Sequence, residues 1–261
     1  MNEAERLPKR MGPRWWRRQI AFIGHPSALL LGVLIAQIVL YPALLGFSAA
    51  PLVLDGIGIA ALLLALRLIH YTRGFVWHAV AMAGVSIGLE LLLVITGSVR
   101  LIPWQAVTQA ILYFYTARCL IRYILVDRRA SLDELFAAAA AFMLLVWAFT
   151  ELLVACQWLQ PGAFAGTDAP GDLRSVNELL FLSFALFTST GIGTVVPMTA
   201  AARVIGDLEM FSGVMYLALV ISRLVGMAAN GGVQKSVPKA AARSDDDADE
   251  AGRHPPVGTG R

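Results

Sequence analysis

Residues 187–197, FTSTGIGTVVP, interrupt an apolar chain with hydroxyl side chains, two glycines flanking one isoleucine, and a closing proline. Such a composition makes a poor helix and a poor isolated strand. Gly191 and Gly193 permit backbone dihedrals that turn successive carbonyl groups toward one axis. A column of carbonyl oxygens can replace water around a cation, so the chemistry on offer is ion coordination by backbone. One copy of the stretch supplies only one wall of such a site, and no second copy occurs in the chain. The expected working form is therefore a homo-oligomer, whose number this chemistry does not fix. Other chemistries find little support. Cys119 and Cys156 lie in apolar segments and read as small buried hydrophobes, the four histidines show no ligand spacing, and no nucleotide-binding glycine loop is present. The sequence is that of a non-enzyme with no resident cofactor or metal.

The elements that must hold this stretch belong to a membrane protein. Hydrophobic residues make up 57% of the 261-residue chain and charged residues 15%, and the mean hydropathy of +0.67 exceeds what a soluble domain of this length would show. Six apolar runs, 28–45, 52–69, 75–95, 101–124, 135–159 and 204–225, each approach the ~20 residues that cross the hydrocarbon core as a helix. Between the fifth and sixth, QPGAFAGTDAPGDLR reads as an exposed loop, and Ser175 with Glu178 forms a potential capping box. The following VNELLFLSFALF is too short to span. It suits a re-entrant helix that enters from outside and stops partway, which leaves the unwound 187–197 stretch at membrane depth. Ser131 and Glu134 form a second potential capping box before the fifth span.

Six spans place both termini on one side. The basic residues choose the cytoplasm, through the N-terminal cluster, Arg67 and Arg73, Arg118 to Arg129, and Arg223 with Lys235. Residues 1–19 carry six Lys or Arg against two Glu and place Trp15 and Trp16 among arginines, which fits a segment lying on anionic headgroups rather than on nucleic acid. From residue 230 onward the chain turns polar, with grouped acidic residues and adjacent prolines, and reads as a disordered cytoplasmic tail.

Residues 181–197, FLSFALFTSTGIGTVVP, resemble the pore signature of the potassium-channel superfamily, whose usual form is close to YFSFVTLTTVGYGDITP. ARVIGDLEMFSGVMYLALVISRLVG, from Ala202 to Gly226, resembles the inner pore helix of bacterial channels with a two-helix pore domain. The resemblance implies an all-α membrane protein of six transmembrane helices plus one re-entrant pore helix and a selectivity-filter loop. It also implies a homotetramer in a bacterial plasma membrane, and potassium conduction with sodium as a second permeant ion. Four segments follow: a basic interfacial segment at 1–27, a four-helix membrane region at 28–130, a pore domain at 131–229 and the tail at 230–261.

Position by position, the family's filter falls on Ser189, Thr190, Gly191, Ile192 and Gly193, whose carbonyls the resemblance assigns to transient K+ coordination. Ile192 replaces the usual tyrosine and cannot donate the hydroxyl bond that often braces the filter. Thr194 replaces the common aspartate and removes a fixed charge from the outer mouth. Both departures point to reduced discrimination against sodium. Glu209 falls where related pore domains often carry glutamate and is expected to brace the re-entrant helix, while Gly213 falls at a helix-bending position where hinge and close-packing roles compete.

Asp55, Glu90 and Glu151 raise the alternative of an ion-coupled transporter, without a broken-helix pair or inverted repeat to organise them. A non-conducting structural or regulatory pore-domain subunit is a third reading, compatible with Ile192 and Thr194. In the fourth span, Arg118 and Arg122 do not recur at every third residue through the membrane, so they read as snorkelling or topology-setting charges rather than a voltage sensor.

Overall fold

The computed structural model describes residues 26–44, 56–58, 76–126, 132–166, 173–223 and 226. Within them the chain is mostly helical. Helix α1 spans Pro26–Leu44 and α2 Val76–Thr96; a 3-10 turn at Val99–Leu101 leads into α3, Ile102–Val126. Helix α4 covers Leu132–Leu159, α5 Val176–Phe187 and α6 Ala200–Arg223. These agree with five of the apolar runs to within a few residues, α6 beginning further out than its run. The second run, 52–69, lies almost wholly outside the described residues, as do the 1–25 segment, Ser131 of the Ser131–Glu134 capping box, most of the acidic loop and the C-terminal tail.

Two helices, Asp133–Leu159 and Ala200–Arg223, are long and apolar enough to cross a membrane. They differ in surroundings. Helix α4 is the hub, packing against α1, α3 and α5, and its alanine-rich first half lets neighbours approach closely: Ala137, Ala140 and Ala141 are fully buried. Strong helix formers and Asp133 and Glu134 in its first turn favour the helix from its start. Helix α6 buries only a narrow stripe and leaves Val204, Leu208, Phe211 and Met215 exposed on this single chain.

Helices α2 and α3 form an antiparallel pair. Gly97, with φ 62°, closes the end of α2, where its amide donates to the Leu93 carbonyl at 2.8 Å. Ser86 on α2 donates to Gln109 on α3 at 2.6 Å, both side chains buried. The buried face of α3 continues through Tyr113 and Thr116, whereas Arg118 and Arg122 are exposed.

An aromatic cluster ties the short helix to the long ones. Phe187, at the end of α5, is fully buried. Its ring lies 5.1 Å from Phe142 in an edge-to-face arrangement, 6.2 Å from Phe149 and 6.3 Å from Tyr216. The Tyr216 hydroxyl donates to the Ala138 carbonyl and so joins α6 to α4. A two-residue antiparallel pair, β1 (Phe164–Ala165) with β2 (Val196–Pro197), sews the chain after α4 to the chain after the filter-like stretch. Phe187→Ala is expected to cost about 3 kcal/mol or more by emptying the centre of this cluster, measured as a large drop in the thermal midpoint of the detergent-solubilised protein, with Leu159→Ala at an exposed helix end as the near-neutral comparison.

Candidate ion-conducting site

The short helix α5 is fixed at both ends before the filter-like residues begin. At its start, Ser175 Oγ accepts from the Glu178 amide at 3.3 Å, and the Glu178 carboxylate accepts from the Ser175 amide at 2.8 Å, completing the predicted capping box. The Ser175 amide bond holds the Glu178 carboxyl below its ordinary range. One residue earlier, buried Gln157 of α4 pairs in both directions with the Arg174 backbone: Nε2 donates to the carbonyl at 3.0 Å and Oε1 accepts from the amide at 2.9 Å. The start of α5 is thereby clamped to α4.

At its end, the helix receives the amides of the following chain. Thr188 N donates to Phe184 O at 3.0 Å, Ser189 N to Leu186 O at 2.9 Å, Thr190 N to Ala185 O at 2.9 Å and Gly191 N to Ala185 O at 3.2 Å. The Thr188 hydroxyl adds a bond to Phe184 O at 2.6 Å. Carbonyls that a helix C-terminus normally leaves unpaired are thus answered by the residues that leave it.

The backbone then alternates. Ser189 has φ 55°, Gly191 φ 65° and Gly193 φ 139°, while Thr190 and Ile192 between them do not enter the positive region. Alternating handedness places successive N–H groups on one side of a segment and successive C=O groups on the other. With the amides of residues 188–191 directed at the end of α5, the carbonyls are left for the opposite side, and those of Ser189 to Gly193 accept no hydrogen bond among the described residues. Residues 188–194 are all exposed on this single chain. The negative end of the α5 dipole lies beside them and favours a cation.

The structure brings Ser189, Thr190, Gly191, Ile192 and Gly193 into one alternating segment, with Thr194 directly after it. Behind Gly193, the Phe181 ring comes within 3.3 Å of where a Cβ would sit, so both φ and space call for glycine. Phe181, Phe184, Thr194 and Val195 also line a groove of about 290 Å³, together with Ile38 of α1 and with Asn177 and Glu178 of α5. The Ile192 side chain is 62% exposed. Val195 is buried, and the Met198 amide donates to Ala163 O at 2.8 Å, which anchors the chain leaving the filter-like stretch.

Glu209 and Gly213 sit elsewhere. Both lie on the buried stripe of α6 against α5, not on the exposed face of residues 189–193. Glu209 is fully buried and forms a short hydrogen bond with Ser183 of α5, and the Ser183 hydroxyl also donates to Val146 O of α4 at 2.9 Å. A Cβ on Gly213 would overlap the Phe187 carbonyl oxygen, so glycine here permits α6 to touch the end of α5. Close packing is the role its surroundings display. Asp207 is exposed, and Arg203 donates from Nε to Pro197 O at 3.3 Å.

Sequence reasoning missed Ser183, Phe181, Gln157 and Arg174. Single polar residues inside apolar runs, Ser183 in LFLSFALF and Gln157 in LVACQWL, were the available signal. Glu90 and Glu151 occupy separate helices, α2 and α4, and Asp55 lies outside the described residues. Both cysteines are free, and no group of metal-ligating side chains occurs among the described residues. Comparison with protein-family models, curated proteins and solved structures gives no match. Gly213→Ala is expected to destabilise by at least about 3 kcal/mol, the upper range for overpacking, because the obstacle is backbone. Poor yield of folded protein, together with near-normal yield for the exposed neighbour change Ser212→Ala, checks this.

Proposed function

We propose that the protein is a passive cation channel, potassium-conducting, in which Ser189, Thr190, Gly191, Ile192 and Gly193 of several identical chains face one axis. The observation that carries this reading is the alternation of φ along these residues, with the amides of Ser189, Thr190 and Gly191 turned back onto α5. Four chains, six spans per chain with α5 re-entrant, cytoplasmic termini and a bacterial plasma membrane are the arrangement that the resemblance of residues 181–197 implies. The uncovered apolar face of α6 and the exposed Phe181 are compatible with neighbours and lipid around each subunit. Anionic lipids would meet the basic N-terminal segment.

Thr194 leaves the outer mouth without a fixed carboxylate, and Ile192 has no polar atom with which to brace its carbonyl neighbours. Contact of Phe181 with Gly193 supplies packing in that region instead. Packing resists displacement less directionally than a hydrogen bond. Potassium is therefore the preferred ion, with sodium admitted more readily than through a filter braced by tyrosine and aspartate.

Purified protein in planar bilayers under potassium, sodium and chloride gradients tests the reading. Cation currents with a potassium preference are expected. A folded oligomer that never conducts would favour a non-conducting pore-domain subunit, and saturable, Glu90- or Glu151-dependent exchange would favour a transporter. Ile192→Tyr with Thr194→Asp is expected to raise the potassium-to-sodium permeability ratio about tenfold, or ~1.4 kcal/mol, read as a shift in bi-ionic reversal potential. An unchanged ratio would assign filter rigidity to the apolar packing. Because Arg118 and Arg122 are exposed and the buried face of α3 carries uncharged Gln109, Tyr113 and Thr116, Arg118→Gln with Arg122→Gln should leave the voltage dependence of opening unaltered. A gating current that disappears in this double variant would reject that expectation.

A further inference from the structure

We infer that Glu209 works as an uncharged carboxylic acid that donates to Ser183, which donates in turn to the Val146 carbonyl, and that this relay positions α5 and the residues following it. Its functional half rests on the channel reading above; the protonation of Glu209 stands on geometry alone.

A serine hydroxyl has one proton and two lone pairs. Ser183 Oγ nevertheless lies 2.9 Å from Val146 O and in a short hydrogen bond with Glu209 Oε1. A carbonyl oxygen only accepts, and an ionised carboxylate only accepts. With Glu209 ionised, one of the two contacts would set oxygen against oxygen with no proton between them. With Glu209 protonated, the acid donates to Ser183 and Ser183 donates to Val146, so each contact holds a proton and each donor is used once.

A second observation is independent of the first. Glu209 is 0% exposed, and its Oε2 has no hydrogen-bond partner among the described residues. A bare, buried carboxylate oxygen carries a heavy desolvation cost, whereas the corresponding oxygen of a neutral acid carries far less. Among the described residues, the elements packed on it provide no compensating charge. Helix α5 presents Ser183, and α4 presents the Val146 carbonyl together with Thr150, whose hydroxyl donates to that same carbonyl at 2.9 Å. On α6 itself Asp207 is exposed, and Arg203 is engaged by Pro197 O.

The consequence is a neutral connection between three helices. Ser183 joins α4 and α6 to the middle of α5, and the alternating segment begins six residues later, at Ser189. Glu209 and Ser183 are thus positioning residues that reach the filter only through α5. A charge at Glu209 is not required for this, but a hydrogen-bond donor is.

Infrared difference spectroscopy of the full-length protein in lipid nanodiscs, wild type minus Glu209→Gln at neutral pH, tests protonation without reference to transport. A protonated-carboxyl C=O band is expected, displaced in Ser183→Ala and kept in Ser183→Thr. A difference spectrum containing only carboxylate bands would overturn the inference. In bilayers, Glu209→Ala and Ser183→Ala should each lower the potassium-to-sodium permeability ratio at least about fivefold, with Glu209→Gln and Ser183→Thr rescuing it. Failure of the uncharged glutamine, with the oligomer intact, would show that the carboxylate charge is what matters and would overturn the relay. A wild-type protein that does not conduct would remove the channel reading, while the infrared result would still decide the protonation of Glu209.

Discussion

Backbone hydrogen bonding at the end of α5 is the constraint on which the rest of the structure depends. A chain that leaves a helix inside an apolar environment exposes carbonyls at the helix end and amides in the unwound segment, and each unpaired group there is costly. Here the two sets answer one another: amides of Thr188, Ser189, Thr190 and Gly191 return to the carbonyls of Phe184, Ala185 and Leu186. That solution requires a sharp reversal at Ser189. Its φ of 55° is unfavourable for a non-glycine residue, by about 1 kcal/mol or more. The surrounding bonds and the buried Phe187 ring must outweigh that cost, which explains why so much packing converges on a helix of 12 residues.

Because the amides of Thr188 to Gly191 are consumed by the end of α5, the carbonyls of Ser189 to Gly193 keep no hydrogen-bond partner among the described residues, and the ion-coordinating role proposed for them draws on the same geometry that satisfies the backbone. Fixing α5 in space is then the main task of the remaining elements. Gln157 and the capping box fix its start, Ser183 its middle, and Gly213 with the aromatic cluster its end. Helix α4 takes part in most of these contacts, which is why it is the more deeply buried of the two long apolar helices.

Much of this was legible because it is local. The helix boundaries follow from apolar runs, and the limits of α5 follow from Ser175 and Glu178 before it and Ser189 to Gly193 after it. The β1–β2 pair was not legible. Two-residue strands have no periodicity of their own, and Phe164 pairs with Pro197 and Ala165 with Val196 only because the ends of α4 and the filter-like stretch are already adjacent. Ser183 was hidden for a similar reason, since a serine in an apolar run signals a partner without naming it. For Gly213 the sequence left hinge and contact equally open, and only the position of the Phe187 carbonyl distinguishes the demand for space from the demand for flexibility.

The placement of polar atoms around α5 bears on how the filter-like segment is held. Toward Gly193, the Phe181 ring offers packing, and no hydrogen bond to Ile192 or Gly193 occurs among the described residues. Toward α5, hydroxyls of Thr188 and Thr190 bond to the end of the helix, and Ser183 bonds to both neighbouring helices. Polar bracing is thus concentrated in the body and end of α5, close to Ser189 and Thr190, and gives way to packing toward Gly193. A directional bond fixes orientation as well as distance, whereas packing mainly limits volume. The segment should therefore be stiffest where it leaves α5 and most compliant toward Gly193, so that, under the channel reading proposed above, any loosening of ion discrimination originates around Ile192 and Gly193 rather than at the hydroxyl-bearing residues.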